Sequence, residues 1–216
     1  MQPWPVGVPL LVIGGTVALY WYRVLRMARK QRRRTGRAAN LVPPEPLGRA
    51  LRVLWAPAVT CWMAQPVASA FGGGPGWARW PAALRPVVDV GWARWACAAA
   101  VVAGYLATRA CWARMGASWR MGIDPGERTP LVVGGPFAYV RHPIYALSAG
   151  MMAAAAAAVP SPLMLAAAVV HIGLLWWESS REERHLLAAH GPAYADYRRR
   201  VGRLVPRSVR GYVPGG

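Results

Sequence analysis

Apolar residues in this chain run in long blocks instead of recurring at every second or fourth position. Five blocks, residues 6–22, 51–71, 87–112, 143–159 and 162–177, approach the roughly 20 residues that one helix needs to cross a bilayer. A soluble core would show a two- or 3.6-residue period instead. With 55% of the 216 residues hydrophobic, including 12 Trp and 8 Met, the pattern indicates helices immersed in lipid. The expected fold is all-α: a polytopic membrane bundle of about five transmembrane helices with a cytoplasmic C-terminal cap. Without an internal repeat or a long dividing linker, residues 1–216 read as one membrane domain.

Pro160-Ser161-Pro162 cannot continue a helix, so the fourth and fifth spans should form an antiparallel hairpin. The alanines from Ala153 to Ala158 allow close backbone approach there. Orientation follows from the basic residues. The first connection carries Arg26, Arg29, Lys30, Arg32, Arg33, Arg34, Arg37 and Arg49, against Arg79 and Arg85 in the second. The first loop therefore faces the cytoplasm and the N-terminus lies outside. The loop 113–141 and the tail after Trp177 lie inside, in agreement with Arg198, Arg199, Arg200, Arg203, Arg207 and Arg210.

A formal net charge of +18 suggests nucleic acid in a soluble chain, but in a multi-span protein it reads as an inside-positive anchor against anionic headgroups. No zinc finger, RNP-like aromatic motif or helix-turn-helix pattern points to nucleic acid. Lys30 is the one lysine among 26 basic residues, a bias of a GC-rich genome, and a bacterial inner membrane is the expected location. The opening Met1-Gln2-Pro3-Trp4-Pro5 lacks a positive n-region, so the first span is read as retained. Cys61, Cys97 and Cys111 are odd in number, lack CxxC spacing and fall within spans, which argues for packing roles over disulfides or zinc. The run Gly72-Gly73-Gly74-Pro75-Gly76 lacks the preceding strand and Lys-Ser/Thr of a phosphate loop and reads as an external turn.

The chemistry is expected at the cytoplasmic ends of the last three spans. The segment 116–135 carries Ser118, Trp119, Arg120, Asp124 and Glu127 and leads into Arg141-His142-Pro143-Ile144-Tyr145. Pro143 suits the first turn of a helix, where its missing N–H costs nothing. Arg141 and His142 then stand at the helix entrance, with Tyr145 in the first turn, and the helix N-terminus favours an anionic group. An interfacial anchor would show the same Arg-His pair. A second cluster closes the fifth span: Glu178, Glu182, Glu183, Arg184 and His185, followed by Gly191, Tyr194 and Tyr197. His171, Glu178 and Glu182 share one helix face. His171 is either a helix–helix hydrogen-bonding residue or a functional one, since ionisable groups at membrane depth are expensive.

Together, Gly135-Pro136-Phe137, Arg141-His142-Pro143-Ile144-Tyr145, Glu182-Glu183-Arg184-His185-Leu186, Gly191-Pro192-Ala193-Tyr194, Tyr197 and the stretch 201–206 resemble the isoprenylcysteine carboxyl methyltransferase and phospholipid methyltransferase superfamily. The resemblance covers about the C-terminal 90 residues, with a family-like core at 116–206. It implies an integral membrane methyltransferase that binds S-adenosylmethionine at the cytoplasmic end of its last two spans. His142, Tyr145 and Glu183 would contact the cofactor, with Pro136, Arg141 and Glu182 also in its site. The tail 186–206 would cover the pocket, although Tyr194 and Tyr197 also suit ordinary packing.

Where the eukaryotic prenylcysteine enzymes carry an arginine five residues before the last glutamate of this block, this chain has Glu178. An arginine suits a carboxylate substrate, whereas a glutamate would repel it. Carboxyl methylation of a prenylcysteine is therefore disfavoured, and Glu178 suits a general base for an O-, N- or S-nucleophile. Arg141 or Arg120 is the candidate to position a polar headgroup, and the expected acceptor is a lipophilic small molecule or lipid. An NADPH-dependent membrane reductase and a non-catalytic membrane scaffold are the alternatives. No metal is expected.

Overall fold

The computed structural model describes residues 7–35, 46–72, 91–119 and 130–215. Among them the chain forms five α-helices and no strand: α1 (Val8–Thr35), α2 (Pro46–Ala70), α3 (Gly91–Met115), α4 (Pro143–Ala158) and α5 (Pro162–Arg200). Arg37, Arg79, Arg85, Arg120, Asp124, Glu127 and the stretch 73–76 lie outside the described residues.

Two helices run well past the apolar blocks that start them. α1 continues through its basic run to Thr35, because Arg, Lys and Gln are good helix formers and neither Gly nor Pro interrupts them. α5 continues for 39 residues through the glutamate cluster. The expected cap is therefore mostly the end of the fifth helix. Among the described residues three helices, α1, α3 and α5, are long and apolar enough to cross a membrane, fewer than the five expected. α4 has only 16 residues, and α2 carries Arg49, Arg52 and Gln65 and is interrupted by Pro57 and Pro66.

α1 packs on α2 and α3, α3 on α4, and α5 on both α2 and α4. Although the whole of α1 is apolar at this depth, its buried residues Leu10, Ile13, Val17, Tyr20, Val24 and Ala28 recur every three or four positions and make one inward stripe. Leu11, Leu19, Tyr22 and Leu25 are left on the outer surface. Helices approach closely at small residues: a Cβ on Gly104 would come within 2.6 Å of Met151 Cγ, and one on Gly14 within 2.5 Å of Val67 Cγ2. The α4–α5 hairpin forms as the prolines require. Ser161 caps α5, accepting from Met164 N at 3.1 Å, and receives Gln65 Nε2 at 2.6 Å, which pins the turn to α2.

Candidate active site

The approach to α4 is held by the end of the chain. Gly135, at φ 63°, opens a tight turn, Gly135–Ala138, in a left-handed conformation that glycine adopts without penalty. The Pro136 carbonyl closes it, accepting from Tyr139 N and Val140 N, each at 3.2 Å. The next residues run extended beside the C-terminal segment: Arg141 N donates to Gly202 O at 2.8 Å and His142 N to Arg203 O at 3.0 Å. Tyr212 N donates to Ala138 O at 2.9 Å and Tyr197 Oη to Phe137 O at 2.5 Å. Within α5, Gly191 takes φ 52° ahead of Pro192, whose missing N–H and bulky ring break the regular ladder. The kink carries Tyr194 and Tyr197 into the interior, both buried.

α5 brings its glutamates against the α4 entrance. Arg141 is buried and grips Glu183 Oε1 through Nε at 2.8 Å and Nη2 at 2.6 Å. Its Nη1 donates to Arg198 O at 2.9 Å and to Val201 O. Arg203 adds a second cation, 3.4 Å from Glu183 Oε2, while donating to Ser180 Oγ at 2.9 Å. The other glutamate turns away from this clamp: Tyr145 Oη donates to Glu182 Oε1 at 2.6 Å, and His142 Nδ1 lies 3.3 Å from Glu182 Oε2. The His142 and Tyr145 rings stack, 5.6 Å apart and 3° from parallel.

Burial disfavours a charged His142, but hydrogen bonds and attraction from Glu182 and Glu183 outweigh it, and its pKa is raised from the ordinary 6.5. The folded protein thus holds this proton more tightly than the unfolded chain. The resulting stabilisation is complete below about pH 6.5 and is lost as pH rises through the raised value. Melting midpoints of wild type and His142→Asn should differ most below about pH 6.5 and converge as pH rises above it. A difference that stays constant with pH would show that His142 carries no such charge.

These side chains border a cavity of about 210 Å³. Its polar wall is made by Arg141, His142, Tyr145, Glu182, His185, His190, Tyr194 and Tyr197. Its apolar wall includes Tyr20, Trp21, Trp55, Trp112, Trp119 and Ile144. Among the described residues, Glu182 is the one acidic residue on the wall, in a chain of net charge +18. The Tyr194 hydroxyl and His142 Nε2 are buried without a hydrogen-bond partner among the described residues, although His142 Nε2 lies 3.5 Å from Glu183 Oε1. A smaller adjoining cavity, about 40 Å³, is lined by Leu51, Arg52, Trp55, Tyr145, Leu174, Leu175 and Glu178. Trp55, Tyr145 and Leu175 are common to both.

The structure brings together all the candidate residues described, with a division of place among them. His142, Tyr145 and Glu182 face the larger cavity, whereas Glu183, only 3% exposed, stands behind its wall. Pro136 shapes the preceding turn and is not on the wall. Arg141 reaches the wall, but all three of its guanidinium nitrogens are engaged by protein acceptors. Glu178 opens onto the smaller cavity and pairs with Arg181 at 3.1 Å. His171 lies on the expected face of α5 but is fully buried among α2 and α4 side chains.

Three residues enter the site unforeseen. Arg203, read from sequence as a tail anchor, belongs to the Glu183 clamp and covers the Trp176 ring at 4.9 Å. Arg52 comes in from α2, over the Trp55 ring at 4.8 Å. Its signal is a cation just inside an apolar block, where charge is costly. Trp21 lacks any such signal, because it is one of several aromatic and apolar residues at the end of the first block.

Among the described residues, three helices able to span a bilayer and a cavity with one polar and one apolar wall at the entrance to α4 define an integral membrane protein with a site at its helix ends. Its C-terminal half carries the signature of a family. The phospholipid methyltransferase family model matches residues 92–193, and that family shares a superfamily of membrane methyltransferases with the isoprenylcysteine carboxyl methyltransferases. The match takes in α3, upstream of the expected core, and ends before the 201–206 segment. No curated protein and no solved structure matches the chain.

Proposed function

We propose that this protein is an S-adenosylmethionine-dependent methyltransferase acting on a lipophilic acceptor with an oxygen, nitrogen or sulfur nucleophile. The carrying observation is the family match together with a carboxylate, Glu182, on the wall of a cavity between stacked His142 and Tyr145 rings and a tryptophan-rich surface. These residues fit the cofactor. Glu182 offers charge complementarity to a cation, the aromatic planes suit an adenine, and the Tyr194 hydroxyl, without a partner among the described residues, can bind a polar atom. S-adenosylmethionine, when bound, supplies an electrophilic methyl group on a cationic sulfur.

In this reading His142, Tyr145 and Glu182 bind the cofactor directly. Arg141 and Glu183 are positioning residues that hold His142 and the C-terminal segment in place, and Glu178 receives the proton released by the nucleophile. The aromatic wall excludes water and accepts the apolar body of the substrate. Five helices embedded in the bilayer, with the N-terminus outside, would set the cavity at the cytoplasmic face, where the soluble cofactor enters from one side and the acceptor from the lipid.

Isothermal titration of detergent-purified protein with S-adenosylhomocysteine tests the reading. Wild type should bind, and Glu182→Gln should bind at least about tenfold more weakly, since hydrogen bonds to a charged group are among the stronger ones. Unchanged melting would establish that the variant is folded. A folded wild type that does not bind would sink the assignment and favour the reductase or scaffold alternatives.

A further inference from the structure

His171 has no task in the site as described so far, yet it is an ionisable group within the apolar block of α5, where such groups are expensive, and it is fully buried. Both of its ring nitrogens are engaged. An indole N–H only donates, so Trp55 Nε1, 2.7 Å away, makes His171 Nδ1 the acceptor. The ring is therefore neutral with its proton on Nε2, and that proton faces Ser148 Oγ at 3.0 Å. One imidazole thus joins α2, α5 and α4.

Trp55 is the piece that this arrangement holds. Its indole borders both the cavity with Glu182 and the smaller one with Glu178. Of the three residues common to the two, Tyr145 and Leu175 come from α4 and α5, and Trp55 alone comes from α2. It is fixed on several sides: the Trp55 and His171 ring planes are inclined by 25°, Trp21 meets the indole edge-on at 5.3 Å, and Arg52 lies over it at 4.8 Å. Trp21 and Trp62, which pack on Trp55 and on His171, have buried Nε1 atoms without a hydrogen-bond partner among the described residues. Packing sets those two rings, whereas a directional bond also sets Trp55.

We propose that Trp55, held by His171, sets the aperture through which a nucleophile beside Glu178 meets the methyl donor in the larger cavity. In the transfer the nucleophile gains the methyl group as the methyl–sulfur bond breaks, and its proton passes to Glu178, so the two cavities must stay in register. Trp55 is a specificity-determining residue that touches the acceptor. His171 is a positioning residue that acts through Trp55, and Ser148 orients His171. The inference rests on the reading of the two cavities as donor and acceptor sites, and it adds the residues that fix their separation.

The test follows Trp55 directly, by fluorine NMR of the full chain labelled with 5-fluorotryptophan in lipid nanodiscs, the Trp55 resonance being the one missing from Trp55→Phe. Turnover is read in native membranes and S-adenosylhomocysteine affinity by titration. His171→Leu should move the Trp55 resonance and lower turnover about ten- to a hundredfold, since a misplacement of about 1 Å can cost the larger factor, with cofactor affinity unchanged. In His171→Gln, whose side-chain oxygen can accept from the indole, turnover should be kept if the resonance is kept and lost if it moves. Trp55→Phe removes the donor and should also lower turnover, and its double variant with His171→Leu should be no worse than the poorer single one. An unmoved resonance in folded His171→Leu, turnover that ignores the resonance, or additive losses would overturn the inference. Full turnover in Trp55→Phe overturns it even if His171→Leu does not fold. A wild type that does not bind S-adenosylhomocysteine removes the methyl-transfer reading itself, whereas retained binding with turnover indifferent to Trp55 removes the aperture alone.

Discussion

Replacing Glu183 with alanine is expected to cost about 3–5 kcal/mol of stability, the range for removing one partner of a buried ion pair. Arg141 and Glu183 side chains are each only 4% exposed, so the abandoned guanidinium could not recover its hydration. The loss would spread, because Arg141 also donates to the carbonyls of Arg198 and Val201 and so fastens the end of α5 to the α4 entrance. Removing both partners, as Arg141→Leu with Glu183→Leu, should recover part of the loss, since no unpaired charge then remains between them. Thermal unfolding of wild type, Arg141→Leu, Glu183→Leu and the double variant in one detergent measures this coupling. Additive losses would show that the two side chains act independently and would remove the positioning role assigned to them.

Glu178→Gln is expected to lower methyl transfer at least about a hundredfold, the lower bound usual for loss of a general base, with affinity for S-adenosylhomocysteine unchanged. The amide keeps the shape of the carboxylate but cannot take a proton. Arg52 belongs to the same small cavity and is drawn to Glu178 electrostatically, so Arg52→Met should also impair turnover, through the carboxylate's orientation and charge. The readout is incorporation of radiolabelled methyl groups into the solvent-extractable fraction of native membranes. Full activity in Glu178→Gln would move the base to another residue. Weakened cofactor affinity would instead make Glu178 a binding residue.

Sequence reveals the α4–α5 hairpin plainly because proline and serine act locally: two prolines stop one helix and start the next, and Ser161 caps the second. The same holds for the sequence order His142-Pro143-Ile144-Tyr145, since a proline at the first helical turn fixes where its neighbours stand. The distinct roles of Glu182 and Glu183 are not legible, because adjacent residues on a helix point about 100° apart and only the packing of Arg141 decides which one is enclosed. Arg203 and Arg52 are harder still. Each acts across more than 20 residues of chain or from another helix, and a basic residue near a membrane reads first as an anchor. The apolar blocks fall short of the helix ends for a related reason: they mark what lies in lipid, whereas backbone propensity decides how far the helix continues.

The pairing of Val140, Arg141 and His142 with Gly202 and Arg203 also orders events during synthesis. All the helices that build the bundle precede that segment in the chain, so they can be delivered into the bilayer while the α4 entrance still lacks its backbone partners. The pocket is completed only when residues 201–212 have left the ribosome. A chain truncated after Arg200 would keep the helices and lack the backbone partners of the α4 entrance.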